Sequence, residues 1–433
     1  MNLFEARVAL QTGETTSRAL VEAALQNINP DLNIMAYTAA ESALAAADSS
    51  LAKGALHGIP ITIKDLFNVA NMPTKAGTAA PLPAEFRQPS HHAVAVQHLV
   101  EAGAIILGKT NMHEIALGIT GENTWTGDVK NPLEPSRQAG GSSSGSAAAV
   151  ASGVGLASLG SDTGGSVRIP ASFCGIVGFK PTFGWISLNG ALNLSMTCDH
   201  AGILSQTVQD AHIMLEVLAR RNLPLRHLNS LQGLRFGVPR QWLEGRLGVT
   251  VRQDFEKLLE QLRDAGAEVL DVSPANLDVA SQCYTQIVRA EAAFVHRVAL
   301  ETDPRGFSET VRPALLNGKS ISTSSYLQAR AERRLVRAGL ETTLQTVDAL
   351  VLPAAPLAAP PRGTQEVLLE SGLRAHRDAF IELTIPFSLV GLPTLSMPFT
   401  KESGLPVGLQ IVTARGDDAL ALDLGWWLER ARI

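Results

Sequence analysis

Cysteine is scarce in this chain of 433 residues, which contains only Cys174, Cys198 and Cys283. None of the three forms a Cys-x-x-Cys pair with another. The spacing argues against a disulfide framework and against a zinc site with cysteine ligands, and it is typical of a protein from a reducing compartment.

Excess charge and long apolar runs are also missing. The chain has 36 basic and 41 acidic residues, a formal net charge of −5, which provides no electrostatic footprint for nucleic acid. No apolar run reaches the roughly 18–20 residues of a membrane span. Residues 1–7 do not combine a basic start with an apolar core, so we expect no signal peptide. We predict a cytoplasmic protein that contacts neither membrane nor nucleic acid directly.

The remaining composition is that of a globular protein, with 45% hydrophobic and 18% charged residues. Short apolar segments alternate with amphipathic patterns of helical period, which favours a layered α/β fold with a mixed sheet. The first fifty residues are predicted to be helical, with a helix cap at 15–17. Strands are predicted at 57–67 (ending at Lys64), 104–107, 156–159, 234–239, 268–272 and 349–353, and helices at 93–102, 147–151, 251–265 and 326–344. The Pro/Ala stretch 353–361 is expected to cross the surface.

Two glycine–serine clusters are the most informative feature of the sequence. Residues 140–146 read Gly-Gly-Ser-Ser-Ser-Gly-Ser, and residues 160–168 read Gly-Ser-Asp-Thr-Gly-Gly-Ser-Val-Arg. Glycine is costly in regular structure, so clusters of it beside hydroxyl groups indicate backbone amides directed at a ligand. The alternative is structural: a plain glycine turn, with Ser143 to Ser146 capping the next helix. For Ser144 and Ser146 we favour capping.

A serine nucleophile needs a base, and neither cluster contains a histidine. Lys64 ends an apolar strand, where desolvation would lower its pKa from the usual value of about 10.4. Ser166 follows a glycine turn whose N–H groups we expect to converge as an oxyanion hole. Ser142 lies where it would relay a proton between the two. The alternative for Lys64 is a side chain that points to water at the end of a strand.

These segments resemble the signature of the amidase signature family. The resemblance extends over nearly the whole chain: Lys64-Asp65, Gly-Gly-Ser-Ser at 140–143, Asp-Thr-Gly-Gly-Ser-Val-Arg at 162–168, Phe-Cys-Gly at 173–175, Gly-Phe-Lys-Pro-Thr at 178–182 and Gly-Leu-Pro-Val-Gly-Leu-Gln at 404–410.

The resemblance implies a fold, a chemistry and roles for individual residues. The fold would be one amidase domain over 1–433, a large mixed β-sheet covered by helices on both faces. Its signature core would span about 55–210 and a more variable helical region about 275–345. The chemistry would be hydrolysis of a small-molecule amide with no cofactor and no metal. The implied roles are Ser166 as nucleophile, Lys64 as base, Ser142 as bridge after a cis bond from Gly141, the N–H groups of Thr163, Gly164, Gly165 and Ser166 as oxyanion hole, and Ser143, Asp162 and Arg168 as supports.

One alternative lies within the same resemblance: the glutaminase component of the tRNA-dependent amidotransferase, which works in a complex. Tyr326, Ala329 and Arg333 match a pattern of that component, in which the arginine would bind the substrate carboxylate; a solvated helix face explains Arg333 equally well. Ile381 stands where that component carries an acid, which argues against the match. A homodimer or a small accessory subunit is left open.

Two shorter segments resemble a different group of enzymes within the same family. Residues 122–124 and 182–184 resemble small-amide hydrolases of the carboxybiuret hydrolase type. Ser144 and Ser388 stand where the family more often has Gly and Asn, and these departures argue against assigning a particular substrate. The substrate pocket is expected to be lined by the 115–130 loop and the 275–330 region.

Three other functions fit parts of the sequence less well. Residues 103–110 match the P-loop pattern, but their apolar middle favours a strand. Residues 141–145 match a nucleophile elbow but lack the apolar strand that precedes one. A non-catalytic interaction subunit would have no need of Lys64, Ser142 and Ser166 together.

Overall fold

The computed structural model describes residues 1–49 and 54–431. Its helices are α1 Leu3–Thr12, α2 Ser17–Gln26, α3 Ala40–Asp48, α4 Ala84–Arg87, α5 Val94–Glu101, α6 Ser144–Ala151, α7 Arg168–Cys174, α8 Val208–Ala219, α9 Arg240–Leu243, α10 Val249–Asp264, α11 Ala280–Val295, α12 Arg297–Thr302, α13 Arg312–Lys319, α14 Thr323–Thr343, α15 His376–Ile381, α16 Ile385–Val390 and α17 Asp418–Ala431.

The strands form one large mixed sheet and a separate hairpin, and helices cover both faces of the sheet, as predicted. They are β1 Met35–Thr38, β2 Pro60–Lys64, β3 Ile105–Thr110, β4 Ala157–Asp162, β5 Val177–Lys180, β6 His200–Ser205, β7 Arg235–Val238, β8 Glu268–Asp271, β9 Ala349–Pro353, β10 Glu366–Leu369, β11 Gly372–Ala375, β12 Thr394–Glu402 and β13 Leu405–Val412. The order in the 11-stranded sheet is β1-β3-β2-β4-β6-β5-β12-β13-β9-β7-β8, and β10 pairs with β11.

The strands that carry the signature residues are neighbours. β2 and β4 run parallel, with Ile63 opposite Leu159, and every residue of both strands is buried. Since parallel strands place their carboxyl ends at the same edge of a sheet, the last residues of β2 and β4 lie close together. Those residues are Lys64 and Asp162. The predicted base and the second glycine cluster therefore meet at one edge.

Most of the elements predicted from periodicity are present, including the strands that end near Lys64 and at Pro353. The helix predicted near the N-terminus is α2, and its cap is Thr16, whose Oγ1 accepts the N–H of Ala19 at 3.1 Å. The first fifty residues are not all helical, however. β1 pairs antiparallel with β3, opposite Thr110 to Gly108. The strand was missed because it has four residues, too few for alternation to be read.

Two further predictions about the backbone were wrong. The Pro/Ala stretch 353–361 does not cross the surface: apart from Leu357 and Pro361 its residues are buried. Ser144 and Ser146 do not cap a helix, because α6 begins at Ser144 and both residues lie inside it. The run of small residues let the helix start earlier than its alanines indicated.

The segment that resembles a P-loop is strand β3, as its apolar residues predicted. All six of its residues are buried, and the Lys109 Nζ lies 3.0 Å from the Asp65 carboxylate. This buried lysine pairs with a buried acid. Of the helices in the described ranges, none has the length and apolarity needed to cross a bilayer.

Candidate active site

The Lys64 ammonium group lies among three serine hydroxyls. Its Nζ donates to the Oγ of Ser142 at 2.7 Å, of Ser143 at 2.9 Å and of Ser161 at 2.8 Å. The side chain is fully buried, and no carboxylate of the described residues lies within ion-pairing distance of it. The prediction that Lys64 and Ser142 meet is confirmed, and the water-exposed alternative is wrong.

Burial sets the protonation state of this lysine. Loss of solvent lowers the pKa of Lys64 from its ordinary value to about 7, against the opposing charges of Asp162 and Asp199. Asp199 is itself buried, which raises its pKa to about 6. A substantial fraction of Lys64 is therefore neutral near pH 7 and has a lone pair available to accept a proton.

The serine turn before α6 has a specific backbone. The Gly141–Ser142 peptide bond is cis, as the family resemblance implied. Gly140 has φ +77°, and a Cβ at this position would lie 2.6 Å from the Cα of Pro170. The Ser142 carbonyl accepts the N–H of His113 at 3.2 Å. The turn is thus held from both sides, and no side chain larger than hydrogen fits at Gly140.

Ser166 lies just before α7 and is 6% exposed. Its carbonyl accepts the N–H of Ser143 at 3.2 Å, which joins the two glycine–serine clusters. In the described ranges no hydrogen bond links the Ser142 and Ser166 hydroxyls, so the relay between them stays a prediction.

The predicted oxyanion hole requires one correction. The Gly165 N–H donates to Asp162 Oδ1 at 2.9 Å, so it is not free to bind an oxyanion, and this part of the prediction is wrong. For Thr163, Gly164 and Ser166, the structure records no acceptor of the backbone N–H in the ranges 1–49 and 54–431. These three donors remain candidates for the oxyanion hole.

Close packing explains why the turn contains two glycines. A Cβ on Gly164 would lie 2.4 Å from the hydroxyl of Tyr284, and one on Gly165 would lie 2.2 Å from Thr384 Oγ1. Gly165 also has φ +135°, a conformation that side chains rarely adopt. Tyr284 and Thr384 were not predicted from the sequence; they come from distant segments and carry no local pattern.

Asp162 and Arg168 form a buried network beneath Ser166. Arg168 Nε and Nη2 donate to the two carboxylate oxygens at 3.0 Å each, and Ser388 Oγ donates to Oδ1 at 2.8 Å. Arg168 Nη1 reaches Gln410 Oε1 at 2.7 Å. Burial alone would raise the pKa of Asp162, but the guanidinium holds it far below its usual range. The supporting roles predicted for Asp162 and Arg168 agree with this arrangement, and the network explains why the C-terminal motif ends in Gln410.

Arg333 is occupied elsewhere. Its Nη1 donates to Thr197 Oγ1 at 3.0 Å and its Nη2 to the Thr197 carbonyl at 2.7 Å. Thr197 also donates to the buried carboxylate of Glu291 at 2.8 Å. The arrangement stabilises the loop before β6, so it gives the substrate-binding prediction for Arg333 no support.

A cavity of about 480 Å³ opens beside the serine turn. Its wall includes residues of the 115–130 loop and Thr310, which lie in the two regions predicted to line the substrate pocket. It also includes residues outside those regions: His113, Thr364, Gln365, Ala375, His376 and Arg377. In the described ranges, this cavity included, no group of His, Cys, Asp or Glu side chains has the arrangement of a metal site.

The pH dependence of hydrolysis is expected to follow Lys64. As the predicted base, Lys64 has a pKa lowered to about 7, so kcat/KM should rise about tenfold per pH unit below that pH and level off above it. The measurement is a pH–rate profile on an uncharged aliphatic amide, whose own ionisation does not interfere. A flat profile between about pH 5.5 and 9 would contradict the assignment.

The chain is similar to known proteins over its whole length. A family model described as Amidase matches residues 18–422. The GatA-type component of the glutamyl-tRNA(Gln) amidotransferase of Halorhodospira halophila is 34% identical over 471 residues, covering 97% of this chain and 95% of that relative. A crystal structure of an amidase is 54% identical, with a TM-score of 0.95 and full coverage of both chains.

A second solved structure, described as a vestigial protein complex that reveals the evolutionary origins of an s-triazine catabolic enzyme, is 30% identical. Its TM-score is 0.92, and the match covers 100% of this chain and 99% of that one. The site geometry, the sheet and the matched family model agree. This chain belongs to the amidase family, whose members hydrolyse amide C–N bonds.

Proposed function

We propose that this protein hydrolyses a small-molecule carboxylic amide to an acid and ammonia or an amine, through an acyl-enzyme on Ser166. Neutral Lys64 accepts the Ser142 proton while Ser142 accepts that of Ser166, and the Ser166 Oγ attacks the amide carbon. The proton then returns by the same route to the departing nitrogen, and the C–N bond breaks. Water, deprotonated in the same way, cleaves the ester and releases the acid. No cofactor is needed.

The observation that carries the proposal is the placement of Lys64, which is fully buried among serine hydroxyls with no carboxylate of the described residues within ion-pairing distance. A lysine with a pKa of about 7 that donates to Ser142 at 2.7 Å is suited to exchange protons with a serine hydroxyl. The other fully buried lysines are held by structural acceptors: Lys109 pairs with Asp65 at 3.0 Å, and Lys180, whose pKa burial also lowers to about 7, donates to the carbonyls of Pro181 and Leu392. Lys64 differs from both because its acceptors are serine hydroxyls, which favours a catalytic role for it.

The transition state would be stabilised by the turn that precedes Ser166. The N–H groups of Thr163, Gly164 and Ser166 are the candidate donors to the oxyanion. Each such donor contributes about 2.7–4 kcal/mol in known acyl-transfer enzymes. Asp162 would hold the turn in place through its bonds to Gly165 and Arg168.

A second candidate function is the glutaminase activity of a tRNA-dependent amidotransferase, which would need partner subunits. It is favoured by the 34% identity to the Halorhodospira relative over 97% of this chain. Arg333, which would bind the glutamine carboxylate, instead donates to Thr197, and Ile381 is buried and apolar where that glutaminase carries an acid. These residues favour the autonomous amidase, acting alone or with a small accessory subunit.

The test is ammonia release by the purified chain alone, on glutamine, asparagine, malonamate, biuret and simple aliphatic and aryl amides. We expect turnover of at least one amide, and Ser166→Ala to reduce it by about 10⁴-fold or more, because the nucleophile is lost. The matched control is Ser144→Ala. Ser144 is buried nearby and its Oγ has no hydrogen-bond partner in the described ranges, so activity and folding should be unchanged.

The outcomes separate the two candidates. Turnover by the wild type that survives Ser166→Ala would contradict the assigned nucleophile. If the chain alone releases ammonia from none of the amides but has glutaminase activity when partner subunits are added, the complex-dependent function is favoured.

A further inference from the structure

Two buried carboxylates flank the turn that carries Ser166. Asp162 lies at its start and holds its second half: Oδ1 accepts the N–H of Gly165 at 2.9 Å, and Oδ2 accepts that of Val167 at 3.1 Å. The second carboxylate is Asp199, which lies one residue before β6 and is 5% exposed. The contacts of its two oxygens indicate what Asp199 does.

The sheet places Asp199 opposite the first residue of the turn. β4 and β6 run antiparallel, and Asp162, the last residue of β4, pairs with His200, the first residue of β6. The residues just beyond this pair are Thr163 and Asp199, and their side chains meet: Thr163 Oγ1 donates to Asp199 Oδ1 at 2.7 Å. Both side chains are buried, so the hydrogen bond is shielded from water.

The two oxygens of the Asp199 carboxylate have different partners. Oδ2 accepts the N–H groups of Leu194 and Ser195 at 2.8 and 3.0 Å, which fixes the turn before β6. Within the described ranges, Thr163 is the one donor to Oδ1, and no cationic side chain lies within ion-pairing distance of the carboxylate. A buried carboxylate without a countercharge is costly. Fixing the 194–195 backbone explains one of its oxygens, and the other is directed at Thr163.

The peptide groups of the nucleophile turn are held in different ways. The peptide between Gly164 and Gly165 is fixed at both ends, because the Gly164 carbonyl accepts the Thr384 hydroxyl and the Gly165 N–H donates to Asp162. For the peptide between Thr163 and Gly164, the structure records no partner of the carbonyl or of the N–H in the ranges 1–49 and 54–431. The orientation of this peptide therefore depends on the residues at its two ends.

Both of these residues are restrained by distant parts of the chain. Tyr284 on α11 packs so closely against Gly164 that a Cβ there would lie 2.4 Å from the tyrosine hydroxyl. Asp199 holds the hydroxyl of Thr163. Loss of the second restraint would allow the peptide to rotate, and the Gly164 N–H would rotate with it. Because oxyanion stabilisation needs donors that are aimed before the reaction begins, this rotation would raise the barrier to hydrolysis.

The turn that carries Asp199 is itself anchored by two helices. Glu291 on α11 accepts the Ser195 hydroxyl at 2.6 Å, and it accepts the N–H and the hydroxyl of Thr197 at 3.0 and 2.8 Å. Arg333 on α14 donates to the Thr197 carbonyl at 2.7 Å. The Asp199 carboxylate is therefore a fixed point against which the nucleophile turn is held.

We propose that Asp199 is a positioning residue for amide hydrolysis: by accepting the Thr163 hydroxyl, it fixes the peptide that directs the Gly164 N–H at the oxyanion. This inference rests on the proposed amidase function and adds to it a residue that does not touch the substrate. Since the oxyanion forms only in the transition state, the hydrogen bond should affect kcat and leave KM unchanged. A carboxylate that only stabilises the fold would change neither in the folded enzyme.

The test compares Thr163→Val, which removes the hydroxyl from a side chain of nearly the same shape, with Thr163→Ser, which keeps it. Both are assayed on the amide with the highest turnover in the ammonia-release panel. We expect Thr163→Val to lower kcat and kcat/KM alike by about 10- to 100-fold, since complete loss of one oxyanion donor costs about 10²–10³-fold. KM should stay within about twofold, and Thr163→Ser should keep kcat within about threefold.

The matched control is Thr394→Val on β12. Thr394 is also buried, and its hydroxyl donates to the Leu392 carbonyl at 3.2 Å. The control should lower the melting temperature by a few degrees, as Thr163→Val does, with kcat and KM unchanged. If Thr163→Val does not fold, Thr163→Ala replaces it in the comparison, because it leaves room for a water molecule beside the carboxylate.

A double-mutant cycle assigns the effect to the Asp199 carboxylate. Asp199→Asn keeps the shape of the side chain and removes its charge, so it should also lower kcat. When it is combined with Thr163→Val, the two losses should not multiply, because both remove the same hydrogen bond. Losses that multiply would overturn the proposal. A loss confined to KM, or a Thr163→Ser enzyme as impaired as Thr163→Val, would do the same.

The outcomes also separate this inference from the proposed function. If the wild type hydrolyses amides and Thr163→Val has the same kcat, the amidase assignment stands and the role of Asp199 is overturned. If the wild type hydrolyses none of the amides, with or without partner subunits, the amidase assignment fails and this inference fails with it.

Discussion

Lys64→Met is expected to reduce kcat/KM for amide hydrolysis by about 10³–10⁴-fold, the usual contribution of a general base. The protein should nevertheless stay folded. Lys64 is buried without an ion-pair partner in the described ranges, so methionine removes a desolvated amine and fills a similar volume. The measurements are ammonia release and the melting temperature, which should shift by only a few degrees.

Lys109→Met provides the matched control, because Lys109 is a fully buried lysine on β3, the strand that pairs with β2. Its ammonium pairs with Asp65 at 3.0 Å, so its removal leaves a buried carboxylate uncompensated. We expect Lys109→Met to lower the free energy of unfolding by about 3–5 kcal/mol, whereas Lys64→Met should mainly reduce activity. A Lys64→Met protein that hydrolyses amides within tenfold of the wild type would contradict the assignment of Lys64 as the base.

Arg168→Met is expected to lower the free energy of unfolding by about 3–5 kcal/mol. Both Arg168 and Asp162 are fully buried, and the arginine donates to both oxygens of the carboxylate. Without it, Asp162 must either remain charged in an apolar interior or take up a proton. Gln410 would also lose the charged donor to its Oε1. The measurement is the midpoint of urea denaturation.

A double-mutant cycle isolates the pair from its surroundings. Asp162→Asn combined with Arg168→Met removes both charges, so the double variant should be more stable than Arg168→Met alone. Additive losses would show that the two residues act independently, against the structure. Because Asp162 also holds the Gly165 N–H, hydrolysis should remain impaired even where stability recovers.

The sequence alone was sufficient to predict which residues form the candidate site, because they lie in local patterns. Lys64 ends an apolar strand, and the two glycine–serine clusters each occupy a single turn. Burial of a strand is readable from its composition, and burial by itself lowers the pKa of a lysine. The base, the serine beside it and the layered α/β fold could all be predicted for this reason.

Other features depended on which segments meet in space. Ser161 contacts Lys64 only because β2 and β4 pair in parallel at one register. The Gly165 N–H was predicted to be free, yet the Asp162 carboxylate accepts it. The acceptor of a backbone N–H depends on which polar groups the tertiary structure brings near it, and a sequence motif does not specify those groups.

The lining of the cavity beside the serine turn also depends on which distant segments meet. The sequence identified the 115–130 loop, but Arg377 comes from a segment more than two hundred residues away with no readable pattern. Local composition determined the buried lysine and the two glycine–serine turns, since a turn or a strand is made by adjacent residues. Tertiary structure alone decided which charged side chains face the cavity, because their positions depend on the packing of elements distant in the chain.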